Sequence, residues 1–395
     1  MSDTLKLIVP IYRDLASVQR CLNSVLAHSP PSTELILIND ATPEPEVATY
    51  CRQVRDQHGA HLIEHHENKG FVASVNEGSA LFPEQDFIIL NSDTEVPPGW
   101  LDRLQSAAAE NADAASITPF SNNATICSYP NFCEDNALPE GLDHVALDTL
   151  FSSANHGLTL DIPTGVGFCM YVRRAAWNEV GEFDQDAFGR GYGEENDWCL
   201  RAAAKGWRHL LCADLFVYHA GGVSFGESAG ALQQSALQVI SERYPDYEKQ
   251  IADFIERDPI EPLRFAIDQA RALAGDASAV LAESRLRARA TKAEWYQLDQ
   301  ARHEQVSRAH ELLAEARAQT KEQGAEYSRQ LQALRQHADE QASQNQQLEG
   351  QYRALEGQYQ TLGTQYSDLE TKIARIESMW LVRLYRTLTG RRGQS

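Results

Sequence analysis

Three short stretches carry side chains able to do chemistry. NSDTE (Asn91–Glu95) and GYGEENDWCLR (Gly191–Arg201) are acidic clusters, and VYHAGG holds a single histidine, His219. Brought together by a fold, they would supply a divalent-metal site beside a carboxylate able to take a proton. That is the equipment for moving a group off a nucleotide diphosphate. An acidic chain of this kind must recruit phosphates locally, because a formal charge of -21 repels a phosphate backbone and disfavours nucleic-acid binding.

The elements that must position these residues can be read from hydropathy. Short apolar runs alternate with amphipathic stretches: LKLIVPIY then Leu15 to His28, ELILIN then Glu46 to His58, HLIEHH then Phe71 to Phe82, DFIILN then Trp100 to Asn111. Strand followed by helix, four times over, predicts an α/β fold with a mainly parallel sheet and helices on both faces. Ligands bind such sheets at the carboxyl ends of the strands. Pro10 to Asp14, Asn39 with Asp40, Asn68 to Gly70, and Asn91 to Glu95 all fall there. With 395 residues, 43% of them hydrophobic, the chain holds a sizeable core and room for more than one folded unit. Seven cysteines without a C-x-x-C pair suit reduced thiols in a cytosolic protein, used as small core filler. The N-terminus lacks signal-peptide regions, and no apolar run reaches the ~18 residues that span a bilayer, so the chain is read as cytoplasmic.

Composition breaks after Pro262, the last of fifteen prolines. From about Asp276 the pattern is helical, and Leu348, Tyr352, Leu355, Tyr359, Leu362, Tyr366, Leu369, Ile373, Ile376 and Trp380 recur at alternating steps of four and three. That is the seam of a coiled coil, and it predicts a homo-oligomer, with a lone solvated helix or a hairpin folding back on itself as the alternatives. The tail after Glu377 carries Arg383, Arg386, Arg391 and Arg392 with no acid, and suits either a frayed coil end or peripheral contact with the inner face of a plasma membrane. The expected organisation is a catalytic domain over 1–225, a helical extension or linker over 226–275, a coiled coil over 276–380 and a basic amphipathic tail over 381–395.

Residues 4 to about 225 resemble a family 2 glycosyltransferase of the GT-A type, rhamnosyltransferase-like. The resemblance rests on IVPIYRD, LINDATPEP, ENKGF with VNEG, LNSDTEV, TGVGFCMYVRR, GEFD, GYGEENDWCLR and VYHAGG, eight pieces in the family's order and spacing. It implies that Asp40 contacts the nucleobase, where a carboxylate accepts the N3 proton of uracil or thymine. The reading from the residues alone is that Asp40 caps the following turn. Pro10 and Tyr12 would shape the same pocket, with Asn68, Gly70 and Asn91 also on the nucleotide side. Asn91-Ser92-Asp93 occupies the place of the family's D-x-D motif, leaving Asp93 as main ligand of a divalent cation, Mn2+ or Mg2+, with His219 completing the site.

GYGEENDWCLR corresponds to the family's E-D motif with Glu195 in the Asp position. Glu195 is the expected base, Asp197 the runner-up, and Glu194 a support for the loop. A helix N-terminus enriched in acids would depress their pKa values, keeping them ionised but making them weaker bases. Arg201 would reach the diphosphate or pair with Glu194. Gly165 and Gly167 would let sugar or acceptor approach the backbone, and Asp184 of GEFD would face the acceptor. The function these residues imply is metal-dependent, inverting, non-processive transfer of a sugar from a nucleotide-diphosphate donor to a glycan or lipid-linked hydroxyl acceptor, in bacterial cell-surface polysaccharide assembly. Two rivals are a nucleotidyltransferase, for which IVPIYRDLAS lacks a triphosphate-binding loop, and an inert sugar-nucleotide-binding scaffold that works through its coil.

Overall fold

A computed structural model of the chain describes residues 5–221, 229–276 and 280–281, most positions between 339 and 375, and the isolated positions 308 and 336. Two units are delimited by their internal contacts, Met1–Ala270 and Arg271–Ser395.

The first unit opens with the predicted alternation: β1 (Lys6–Ile11), α1 (Leu15–His28), β2 (Glu34–Asn39), α2 (Pro45–His58), β3 (His61–Glu64), α3 (Phe71–Ala80) and β4 (Phe87–Leu90). Local chemistry explains the boundaries. In α1, Val18, Cys21, Leu22 and Val25 recur at three and four residues and are buried on one stripe. Pro45 starts α2, where its missing N–H costs nothing, and Gly59 ends it at φ 71, a left-handed cap whose amide bonds the Arg55 carbonyl 2.9 Å away. There follow β5 (Thr94–Glu95), α4 (Trp100–Glu110), β6 (Ala114–Phe120), α5 (His144–Ala154), β7 (Thr159–Asp161), β8 (Cys169–Val172), α6 (Arg174–Val180), α7 (Gln185–Phe188) and α8 (Glu194–Ala203). The unit closes with β9 (Arg208–Phe216), β10 (Tyr218–His219), α9 (Ala229–Arg243), α10 (Tyr247–Arg257) and α11 (Glu261–Arg271).

Eight strands form one sheet in the order β3-β2-β1-β4-β8-β6-β9-β7, while β10 and β5 make a separate pair. Strands β3, β2, β1 and β4 run parallel, and their register sets Ile11 beside Asn39 and Asn39 beside Glu64. Residues following these strands therefore emerge along one edge. The parallel expectation fails at β8, which is antiparallel to both β4 and β6, and at β7, antiparallel to β9. Pairing of Leu90 with Cys169 brings the chain before β8 to the same edge, where the Asn91 amide donates to the Phe168 carbonyl at 2.8 Å.

Alternation along the strands splits the core between the two faces. Leu7, Val9, Leu35 and Leu37 pack with Val18, Val47, Trp100 and Phe151 on one side. Ile8, Ile36, Ile38, Phe87 and Ile89 pack with Val72, Trp177 and Trp198 on the other. Each such fully buried aliphatic side chain contributes roughly 1.5–3 kcal/mol relative to exposure. All seven cysteines are free, and six of them are buried, as core filler requires. Helices α9 to α11 lie within the first unit as far as Ala270. Tyr129 donates to Asp268 Oδ1 at 2.8 Å, and Asn155 Nδ2 to the Leu263 carbonyl at 3.3 Å.

In the second unit the described positions from 339 to 375 are helical. Gln341, Asn345, Leu348, Leu355, Leu362 and Leu369 are partly or fully covered while most intervening positions are exposed, which marks the predicted seam as the covered face. Leu369 shares a buried cluster with Ala272 and Val280 of the same unit, so at that point the chain covers its own seam. Tyr352, Tyr359, Tyr366, Ile373, Ile376, Trp380 and the basic tail lie outside the described residues. Among the described residues no helix is long and apolar enough to cross a membrane.

Candidate active site

The strand ends open onto a cavity of about 390 Å³. Its nucleotide-side wall is built by Pro10, Tyr12 and Arg13 after β1, Asp40 after β2, and Asn68 and Gly70 before α3. Asp40 is 4% exposed, and its carboxylate is held by the chain. Oδ1 accepts from the Lys69 amide at 2.7 Å and lies 2.7 Å from His65 Nδ1, and Oδ2 accepts from the Gly70 amide at 2.8 Å. A carboxylate offers about four lone-pair sites, so one on Oδ2 remains for a ligand N–H. The turn chemistry expected of Asp40 is done by its neighbour, since Asn39 Oδ1 accepts from the Thr42 amide at 3.0 Å. Gly70 has φ +91, and a Cβ there would lie 2.4 Å from Arg190 Cα. Only glycine permits that approach. Asn68 Oδ1 is buried at the cavity with no hydrogen-bond partner among the described residues, an acceptor left for a ligand.

Asp93 and His219 meet through a pairing invisible along the chain. β10 runs antiparallel to β5, setting His219 against Thr94, and the Ala220 amide donates to the Asp93 carbonyl at 3.0 Å. His219 Nε2 then lies 3.3 Å from Asp93 Oδ1. The other ring nitrogen, Nδ1, is 2.7 Å from the Asn123 carbonyl, which only accepts, so Nδ1 carries the hydrogen and Nε2 faces the carboxylate. Asn122 brackets His219 further, accepting from its amide at 2.8 Å and donating to its carbonyl at 2.9 Å. Burial pushes the Asp93 carboxyl up, but the His219 hydrogen bond and charge outweigh it and hold the group below its ordinary value. Burial pushes His219 down and Asp93 more than reverses it, leaving the imidazole above its ordinary value.

Two ligands at right angles, each about 2.1 Å from an octahedral cation, stand about 3 Å apart. The separation of 3.3 Å therefore fits neighbouring positions on one ion. Among the described residues no group of three or more His, Cys, Asp or Glu side chains gathers as a metal site. A cation at this pair would draw its remaining ligands from water or substrate oxygens.

The facing chemistry lies on the first turn of α8. Backbone φ is positive at Gly191, Tyr192 and Gly193 in succession, and Tyr192 at φ 72 is a strained residue on the cavity wall. That loop delivers Glu194 and Glu195 into the cavity, with Gly167 opposite, where a Cβ would stand 3.8 Å from the Glu195 carboxyl. Both carboxyl pKa values are raised, against the depression expected from a helix N-terminus. Burial is the main cause for each, and the Glu195 charge adds to it at Glu194. Desolvation exceeds what the helix dipole supplies.

Four expected site residues turn away from the cavity. Asp197 is fully buried in a clamp, accepting from Arg201 Nε at 2.7 Å, Arg243 Nη1 at 2.9 Å and the Tyr244 hydroxyl at 2.8 Å. No room is left for it to meet a substrate proton. Arg201 reaches neither diphosphate nor Glu194: besides Asp197 it donates to the carbonyls of Val180 and Glu182, each at 2.9 Å. Asp184 caps α7 through the Ala187 amide at 3.0 Å and binds Arg243 Nη2 at 2.8 Å. Gly165 is small for internal packing, as its Cβ would meet Ser116 Oγ at 2.9 Å.

Sequence reasoning passed over Arg13, Arg190, Tyr192 and His65. Arg13 directly follows Tyr12, and its guanidinium lies 4.9 Å from that ring. The Gly-rich GRGYGEE was the available signal for the strained loop carrying Arg190 and Tyr192.

The family model for glycosyl transferase family 2 matches residues 6–181. Two relatives, each named N-acetylglucosaminyl-diphospho-decaprenol L-rhamnosyltransferase, come from Mycobacterium tuberculosis strains CDC 1551 / Oshkosh and ATCC 25618 / H37Rv. Each is 27% identical over 245 residues, covering 55% of this chain and 76% of the relative. Among solved structures, that of GalNAc-T7 with UDP, GalNAc and Mn2+ aligns at 15% identity and a TM-score of 0.46, over 62% of this chain and 50% of its own length.

Proposed function

We propose that residues 6–181, which match the model of glycosyl transferase family 2, are a domain of that family, and that the cavity transfers a sugar from a nucleotide diphosphate to an acceptor hydroxyl with inversion at the anomeric carbon. One observation carries this reading: Asp40, His219 and Glu195 line one cavity, and Asp93 Oδ1 lies 3.3 Å from His219 Nε2. The free lone pair of Asp40 takes the base N–H, and Tyr12 with Pro10 forms the surface beside it. Asp93 and His219 would hold the divalent cation, which when bound neutralises charge on the leaving diphosphate. Glu195 accepts the proton of the attacking hydroxyl, its raised pKa making it a stronger base than an exposed glutamate. A single displacement needs no carboxylate nucleophile, and Asp197 is held in its clamp.

The relatives' name points to L-rhamnose as the sugar and to a diphosphate-linked polyprenol glycan as the acceptor. We take this chain to act likewise at the cytoplasmic membrane face, with the helical second unit as its means of self-association. The test is a panel of uridine and thymidine diphosphate sugars with Mn2+, read as free nucleotide diphosphate, for the native chain and for Glu195→Gln. Turnover by the native chain alone is the expected result. Equal turnover by the variant removes Glu195 from the mechanism.

A further inference from the structure

Catalysis by Glu195 leaves Glu194 without a task, yet Glu194 is the more deeply buried of the two, 3% exposed on the same cavity wall. Each side chain has an Oε2 shut off from solvent with no hydrogen-bond partner among the described residues. The cations that would compensate two negative charges are engaged elsewhere: Arg201 and Arg243 both close on Asp197. Arg190 lines the cavity, and among the described residues no ion pair joins it to either glutamate.

Neither buried group packed closest to the pair adds a compensating charge. Cys199 on α8 is a thiol that burial pushes up to about 12. Tyr247 on α10, held near Thr164 at 3.3 Å, is a phenol that burial pushes up to about 12. Tyr192 stands in the loop before the pair, and His219, at another part of the cavity lining, is engaged with Asp93. Two carboxylates in one buried wall, with no ion-pair partner among the described residues, cannot both ionise without a large cost, and titrate as a unit.

We propose that Glu194 and Glu195 share one proton at neutral pH, carried by Glu194 and donated as a hydrogen bond to Glu195, which makes Glu194 the positioning residue that keeps Glu195 ionised and aimed. This rests on the reading of Glu195 as base. The resting pair carries one negative charge. During transfer the acceptor O–H bond breaks, its proton passes to Glu195 and its oxygen bonds the anomeric carbon, while the bond to the diphosphate oxygen breaks and that oxygen keeps the electron pair. The pair is then neutral, and one proton returns to solvent after product release. Glu194 is pushed further up than Glu195, the order this assignment requires.

The experiment is the pH dependence of kcat/KM for donor turnover in that panel, with two variants of the full chain. Glu194→Leu removes the donated hydrogen bond, and the acid limb should move up by about one pH unit or more. Glu194→Gln donates the same bond but cannot ionise, so it should return the acid limb to its native place and abolish any alkaline limb due to loss of the shared proton. An acid limb unmoved by Leu, or moved down by Gln, overturns the proposal, since the latter means that native Glu194 is ionised. An even loss at all pH values, with both limbs in place, marks a merely structural residue and also overturns it.

Should the variants fail to fold, infrared spectra of the native chain with carbonyl-labelled glutamate decide. A neutral carboxylic-acid C=O band persisting at neutral pH supports sharing, and its absence refutes it. Turnover by Glu195→Gln would sink the base assignment, whereas the infrared band reports on the shared proton regardless of turnover.

Discussion

Two walls of one cavity hold carboxyl groups under opposite conditions. Asp40 has two backbone amides and a histidine ring within 2.8 Å of its oxygens. Glu194 and Glu195 have each other and two orphaned oxygens. An oxygen fixed by amides is a recognition element, since its direction is set and its charge satisfied. A crowded carboxyl pair is a proton-handling element, because small changes in its surroundings decide who is charged. On the proposed reading, the fold separates binding from chemistry with one functional group.

The contrast breaks most visibly in kinetics. Glu195→Gln should lower kcat by about 10²–10⁴-fold, the usual range for a positioned base, while calorimetry finds UDP or TDP binding retained. Asp197→Asn, on the same turn of α8, should instead act on stability. Its partner Arg243 is 37% exposed, which discounts the cost of a broken buried pair to about 2–3 kcal/mol in urea unfolding. The folded fraction of that variant should still transfer sugar. If it loses turnover without losing stability, the clamp reading of Asp197 fails.

Asp40→Asn should weaken nucleotide binding by about 1–3 kcal/mol in calorimetry, with kcat changed far less, because it strips one acceptor from a fixed site. A kcat loss equal to that of Glu195→Gln would erase the distinction between the walls.

The smallest effect is on stability against pH. A buried carboxyl whose folded pKa lies above its unfolded 4.5 is unpenalised below that value and costs stability as pH rises through it. Glu194→Gln should therefore melt higher than the native chain in alkaline buffer, with the gain shrinking toward pH 5. A gain independent of pH would contradict the raised pKa.

Much of the first unit was legible in the residues. Helix α1 spans Leu15–His28 as its apolar spacing predicts, and β2 spans ELILIN, because both periods are local and the runs are bounded by turn chemistry. Asp40, Asn91 and His219 were placed at the cavity from strand ends and motif order. Asp184 and Asp197 were misplaced because α9 arrives with Arg243, which binds both, and Arg201 was misplaced because it turns to Asp197, four residues back on α8. No spacing within GYGEENDWCLR encodes that arrival.

What the amino-acid order determined by itself is therefore the strand–helix rhythm and which side chains stand at strand ends, since these follow from backbone periodicity and hydrophobic burial over a few residues. What only the tertiary structure decided is the reversal of β8, the β5–β10 pairing that sets His219 on Asp93, the raised pKa of Glu194 and Glu195, and the clamp on Asp197 one turn of helix away. Those depend on desolvation and on partners distant along the chain, and a carboxyl group has no fixed chemistry until its solvent and its neighbours are known.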